Sequence, residues 1–117
     1  MTTRKKIVIT GIGVISSIGS SRQGFWSALT NGVSGVRTIT AFDATPYATR
    51  IASEVRDFDP LVYLSRKMAR RMARNSQMAV GAAMDAVKDA GLDLANEQPL
   101  RVGCCVGTAA GDYGEIE

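Results

Sequence analysis

The only thiols in this 117-residue chain are the adjacent Cys104 and Cys105, and histidine is absent altogether. Without an imidazole these residues hold no Ser-His or Cys-His nucleophile pair and no histidine-ligated metal. Adjacent cysteines also lack C-x-x-C redox spacing and zinc-ribbon spacing, and they build no framework bridge. Within the chain, then, neither a histidine-activated nucleophile nor a cysteine- or histidine-based metal site is expected. A second chemical feature is the glycine-rich segment Gly11-Ile-Gly-Val-Ile-Ser16, directly after an apolar run. In a dinucleotide site such a turn brings the backbone up to a pyrophosphate at a helix N-terminus. Two features oppose that reading. Ser16 stands where a third Gly or Ala would be needed, and the first acid anywhere in the chain is Asp43. No carboxylate therefore lies at the spacing that holds a ribose, and Arg37 offers an NADP reading little support.

The third feature is electrostatic. Arg66, Lys67, Arg70, Arg71 and Arg74 place five of the 14 basic residues in a short segment, and no acid occurs between Asp59 and Asp85. At helical spacing, 66/70/74 and 67/71 are stacked like charges that repel one another. An anionic partner would offset that repulsion; the plain alternative is a solvated helix face. Nucleic acid fits poorly, because no aromatic residue interleaves with the charges.

Those features need elements to hold them. With 45% hydrophobic residues, 21% charged residues and a formal charge of +3, the chain has the composition of one ordinary globular domain. So mild a basic excess is no sign of nucleic-acid binding by itself. Lys6-Ile-Val-Ile-Thr10 reads as a buried parallel-type strand. Ser21 is a plausible N-cap for a helix through Phe25, Trp26, Ala28 and Leu29, closed by Gly32. Residues 33–49 hold scattered turn formers, Arg50 to Val55 a second strand, and Asp57-Phe-Asp-Pro60 a turn. Ser65 opens the longest periodic segment, with Met68, Met72, Ala79, Ala83, Val87 and Ala90 near helical spacing and Gly91 as its stop. Arg101 to Val106 reads as a third strand, on which both cysteines are small buried positions, and Gly107 ends it. The alternation of strands and helices indicates an α/β layered fold. The chain stops past a strand without a closing element, so the expectation is the opening of a larger domain.

Arg4-Lys5-Lys6 precedes an apolar stretch, but Thr10, Gly11, Gly13, Ser16 and Ser17 interrupt it and no small-x-small cleavage site follows. A secretory signal is not expected, nor a membrane span, which needs about 18 apolar residues. Reduced cysteines in a cytoplasmic setting are the simplest reading.

The segment Val8-Ile-Thr-Gly-Ile-Gly-Val-Ile-Ser-Ser-Ile-Gly19 resembles the opening of the β-ketoacyl-acyl-carrier-protein synthases, the condensing enzymes of fatty-acid and polyketide assembly. The resemblance continues in register through Phe25-Trp26, Leu29, Gly32, Ser34-Gly35, Phe42-Asp43 and Pro46 to Val55. Ser65-Arg-Lys, Arg70-Arg-Met72, Asp89-Ala-Gly-Leu92 and Arg101-Val-Gly103 complete it. It spans essentially the whole chain and is closest to the chain-elongating, KAS II-like branch.

The resemblance implies a thiolase-like fold, with layered α/β/α architecture and a mixed sheet, of which this chain holds only the first part. Residues 1–117 would be a portion of the N-terminal domain that ends before the catalytic cysteine. The implied reaction condenses an acyl thioester with malonyl-acyl-carrier protein, with decarboxylation, and needs no cofactor. Its cysteine and two histidines have no counterpart here, so no catalytic residue is assigned. The implied partners are an acidic acyl-carrier protein, docked on Lys67, Arg70, Arg71 and Arg74, and a second synthase subunit in a homodimer or heterodimer. The loop Gly107-Thr-Ala-Ala-Gly-Asp112 would border the acyl pocket through Thr108 and Ala110, the latter where relatives commonly carry a gating isoleucine. Two other readings stay open: a non-catalytic chain-length-factor type partner of a ketosynthase, and the Rossmann-like nucleotide module weighed above.

Overall fold

Local chain signals set the helices. In the computed structural model, which describes residues 5–109, the Ser21 hydroxyl accepts the Gly24 amide at 3.1 Å and starts helix α1, Arg22–Thr30. That bond satisfies one of the donors a helix N-terminus leaves unpaired. Gly32 and Gly91, at φ +66° and +63°, lie just beyond the ends of α1 and of helix α3, Arg74–Asp89. Both stops fall where the sequence indicates, since only glycine enters that region without steric penalty.

The segment opened by Ser65 is not one helix. Ser65 caps a single turn, α2, Arg66–Ala69, and the chain breaks at Ala73, whose ψ of 151° is extended, before α3 begins. Residues 33–49 contain a strand that the turn formers hide. Strand β1, Val36–Thr38, pairs antiparallel with β2, Ile51–Ser53, in the register Val36↔Ser53, Arg37↔Ala52 and Thr38↔Ile51. The second strand read over residues 50–55 is therefore present, but shorter and in a hairpin.

Glu54 closes that hairpin. Its carboxylate accepts the amides of Thr40 and Ala41, the Thr40 hydroxyl, and Nε and Nη2 of Arg56. The Arg56 guanidinium, followed by those backbone donors, lowers its pKa from the usual 4.5 to about 2. A depressed carboxylate stabilises the fold above its unfolded pKa and loses that contribution as pH falls through the folded one. Amide exchange at Thr40 and Ala41 is therefore expected to quicken as pH drops from about 4.5 towards 2, after correction for the intrinsic pH dependence of exchange. Glu54→Gln should flatten that response.

The buried centre is small: Ala44, Phe58, Leu64 and, on α3, Gly81. Phe58 stacks on Tyr63 with ring centroids 6.0 Å apart, and the Tyr63 hydroxyl donates to Asp85 on α3 at 2.8 Å. That hydrogen bond, with burial second, holds the Tyr63 phenol above its ordinary pKa. Gly81 admits the cluster, because a Cβ there would lie 2.9 Å from Ile15 Cδ1 and 3.1 Å from Phe58 Cε2.

The outer strands read from the sequence do not form. Among the described residues there is one sheet, and it has two strands. Segment 6–10 lies open, with Ile7 97% and Ile9 84% exposed, and after a 3₁₀ turn at Pro99–Arg101 so does 102–106. The physical reason is that an extended segment gains ladder bonds and cover only from neighbours, and none is paired with either segment here. A radius of gyration of 17.7 Å, against roughly 13 Å for a closed domain of this length, reflects the same openness. No helix among the described residues is long and apolar enough to cross a membrane.

Candidate functional site

The glycine-rich loop has a packing role that its sequence does not announce. A Cβ on Gly13 would run into the Ala82 carbonyl oxygen and come within 2.8 Å of Ala86 N. One on Gly11 would meet the Ala86 carbonyl oxygen and sit 2.6 Å from Ala90 N. Both glycines thus let the loop lie directly on the backbone of α3 over its row of alanines. Between them, the Ile12 amide donates to Asp89 Oδ2 at 3.0 Å, and Arg22 pairs with the same carboxylate at 3.1 Å. A phosphate would need that amide, and a carboxylate already holds it. The dinucleotide reading fails on this geometry, and the glycines belong to helix packing.

The basic segment divides at the helix break. Arg66 and Lys67 lie on α2, and Arg70 and Arg71 follow directly; all four are exposed, and neither ion pair formed among the described residues involves them. A cavity of about 360 Å³ beside them is lined by Leu61, Arg66, Ala69 and Arg70. Arg74 is a different case. It stands at the start of α3, donates from Nη2 to the Val55 carbonyl at 3.0 Å, and covers the Phe58 ring at 5.7 Å. The continuous stripe 66/70/74 is therefore interrupted, and the Arg74 guanidinium ties β2's outgoing chain to the core.

Sequence reasoning missed Gln77, Asp89 and Glu54. Each uses its side chain to satisfy backbone groups outside its own turn, from five residues back for Gln77 to 77 for Asp89, and a single polar residue carries no periodic signal of such a task. Asp89 alone had a cue, as an acid next to the helix stop.

Cys104 and Cys105 are free and exposed rather than buried, because the strand expected to carry them is uncovered. No cluster of three or more metal-ligating side chains exists among the described residues. Thr108 is exposed in an irregular stretch, and Ala110 lies outside the described residues.

Comparison with known proteins supplies the frame. The family model described as β-ketoacyl synthase, N-terminal domain, matches residues 4–117. The chain is 38% identical over 115 residues to 3-oxoacyl-[acyl-carrier-protein] synthase 2 of Vibrio harveyi, covering 98% of this chain and 28% of that protein. It is 48% identical over 108 residues to the tetracenomycin polyketide synthase ketoacyl synthase alpha subunit of Streptomyces glaucescens, covering 92% of this chain and 25% of that one. A solved structure of the ishigamide ketosynthase/chain length factor superposes with a TM-score of 0.68 at 44% identity, over 74% of this chain and 21% of that chain. The 117 residues thus span about a quarter of the length of these relatives. With the family model matched across nearly all of its residues, the chain belongs to the β-ketoacyl synthase family and falls in that family's N-terminal domain.

Proposed function

We propose that the 117 residues are the opening portion of a longer 3-oxoacyl-[acyl-carrier-protein] synthase that extends fatty-acid or polyketide chains, with its catalytic residues outside this stretch. One observation carries the reading: the match to a protein of that name runs over 98% of the chain. The absence of histidine fits a segment that scaffolds and docks rather than reacts. In the whole enzyme a cysteine thiolate takes the acyl group from its carrier as a thioester. Malonyl-carrier protein then loses carbon dioxide, and the resulting enolate attacks the thioester carbon. The thiolate leaves, and the product is a 3-oxoacyl carrier thioester. Splitting the reaction at a covalent intermediate, with fixed donors at the developing oxyanion, lowers each barrier.

This chain's share is architectural and electrostatic. With neighbours present, segments 6–10 and 101–106 become strands of a mixed sheet within a layered α/β/α fold. The exposed cations Arg66, Lys67, Arg70 and Arg71 receive an acidic acyl-carrier protein, while Arg74, also exposed, is held to Val55 and Phe58. The assembly is a homodimer, or a heterodimer with a second ketosynthase-type subunit, in the cytoplasm.

A chain-length-factor type partner is the second reading, favoured by the likeness to a structure described as a ketosynthase/chain length factor. Acyl transfer separates the two. The full-length protein, incubated with an acyl-carrier thioester and acid-quenched, should gain the mass of one acyl group. A protein that gains none, yet raises the activity of an added ketosynthase, is the partner.

Ala110 gives a prediction on chain length. Isoleucine carries three more carbons than alanine, and an apolar pocket discriminates by roughly 1–3 kcal/mol per methylene. Ala110→Ile in the intact enzyme should shift products to shorter chains, as read by mass spectrometry at matched expression and stability. An unchanged product distribution in a folded variant would reduce Ala110 to loop packing.

A further inference from the structure

The basic segment contains a break that its own sequence does not require. From Arg66 to Val80 the chain has neither proline nor glycine, and its alanines, methionines and arginines favour helix. Nonetheless α2 ends at Ala69 and α3 begins only at Arg74. Past α2 the backbone bonds tighten to three-residue spacing, with the Arg71 amide on the Met68 carbonyl at 2.9 Å and the Met72 amide on that of Ala69 at a weak 3.4 Å. The carbonyls of Ala69 and Met72 would accept from Ala73 and Ser76 in an unbroken helix, and here they take a different donor. The side-chain amide of Gln77, in the first turn of α3, donates to both, at 2.8 Å and 2.9 Å.

We infer that Gln77 is the positioning residue of the docking face: its amide staples the α2–α3 break open and so fixes the direction in which Arg66, Lys67, Arg70 and Arg71 face an acidic carrier protein. Its two N–H donors match two carbonyls at the break, that of Met72 and that of Ala69, the latter otherwise holding only the weak bond from the Met72 amide. Arg74 anchors the far side through Val55 and Phe58, so the segment is held from both ends. Without the staple the like-charged segment keeps its helical preference and loses the side-chain bonds that hold the break before α3. This inference rests on the docking reading, which the triple reversal in the test examines separately.

The test uses the full-length protein in three forms: wild type, Gln77→Met, and the triple reversal Lys67→Glu, Arg70→Glu, Arg71→Glu. Methionine keeps the length of glutamine and removes its donors. KM is measured for an acyl-carrier-protein thioester and for an acyl-pantetheine thioester that makes no carrier contact, and backbone exchange is followed at residues 69–73. The expected result for Gln77→Met is a three- to tenfold rise in carrier KM, about what one net hydrogen bond is worth. The pantetheine values should not move, and exchange at 69–73 should quicken. A rise with the triple reversal but none with Gln77→Met overturns the inference and leaves docking intact. Equal losses on both thioesters make Gln77 a general stability residue and also overturn it. No rise with the triple reversal removes the docking reading, and this inference with it.

Discussion

Replacing Gly13 by valine in the intact protein is expected to cut the yield of soluble, folded enzyme sharply and to lower its melting temperature. The side chain would enter the space occupied by the Ala82 carbonyl and the Ala86 amide, both inside the regular hydrogen-bonding of α3. Neither group can rotate away as a side-chain tip would, so the loop must lift off the helix. Lifting breaks the Ile12–Asp89 bond and draws Arg22 away from the same carboxylate. Overpacking against side chains costs typically 1–3 kcal/mol, and against backbone on both sides the penalty reaches at least the upper end, about 3 kcal/mol. That is a large part of the roughly 5–15 kcal/mol by which folded proteins exceed their unfolded states. Soluble yield and a thermal melt check it. A well-folded Gly13→Val variant with unchanged melting would show that the loop does not need its close seat on α3.

Reversing Lys67, Arg70 and Arg71 together is expected to raise KM for the carrier thioester roughly tenfold or more at low salt. Each exposed ion pair contributes only about 0.2–1 kcal/mol, so single reversals would be lost in the scatter and the triple change is needed. Reversal also replaces attraction with repulsion during encounter, which slows association and makes the defect shrink as salt rises. The effect should spare a pantetheine thioester, since the three side chains are exposed and hold no ion pair among the described residues. An equal loss on both substrates would place these residues in folding instead.

What the sequence conveyed follows the range of the forces concerned. Ser21, Gly32, Ser65 and Gly91 act within a turn of their own positions, and all four sit where their residue types indicate. Strand β1 escaped notice, unlike its partner β2, because it is three residues long, too short for a period-2 pattern to rise above the Gly, Ser and Thr around it. The break after Ala69 escaped for a stronger reason: local propensity points to helix, and Gln77 supplies the competing bonds from eight residues away. The apolar runs at 6–10 and 101–106 do carry strand-like composition, yet a strand is a relation between segments, and these two have no paired neighbour here. The glycine-rich loop illustrates the converse case. Its composition suits a phosphate turn and a close helix seat equally, and only the contacts with Ala82, Ala86 and Ala90 distinguish them.

The most direct test of the account is a condensation assay on the full-length protein alone. Purified enzyme, an acyl-carrier thioester and malonyl-carrier protein are mixed, and carbon dioxide release is followed alongside the mass of the carrier-bound product. One carbon dioxide per turnover and a 3-oxoacyl product two carbons longer than the acyl donor are expected. Failure of the folded protein to form that product from either fatty-acyl or polyketide-type donors, with no acyl adduct on the enzyme, would contradict it.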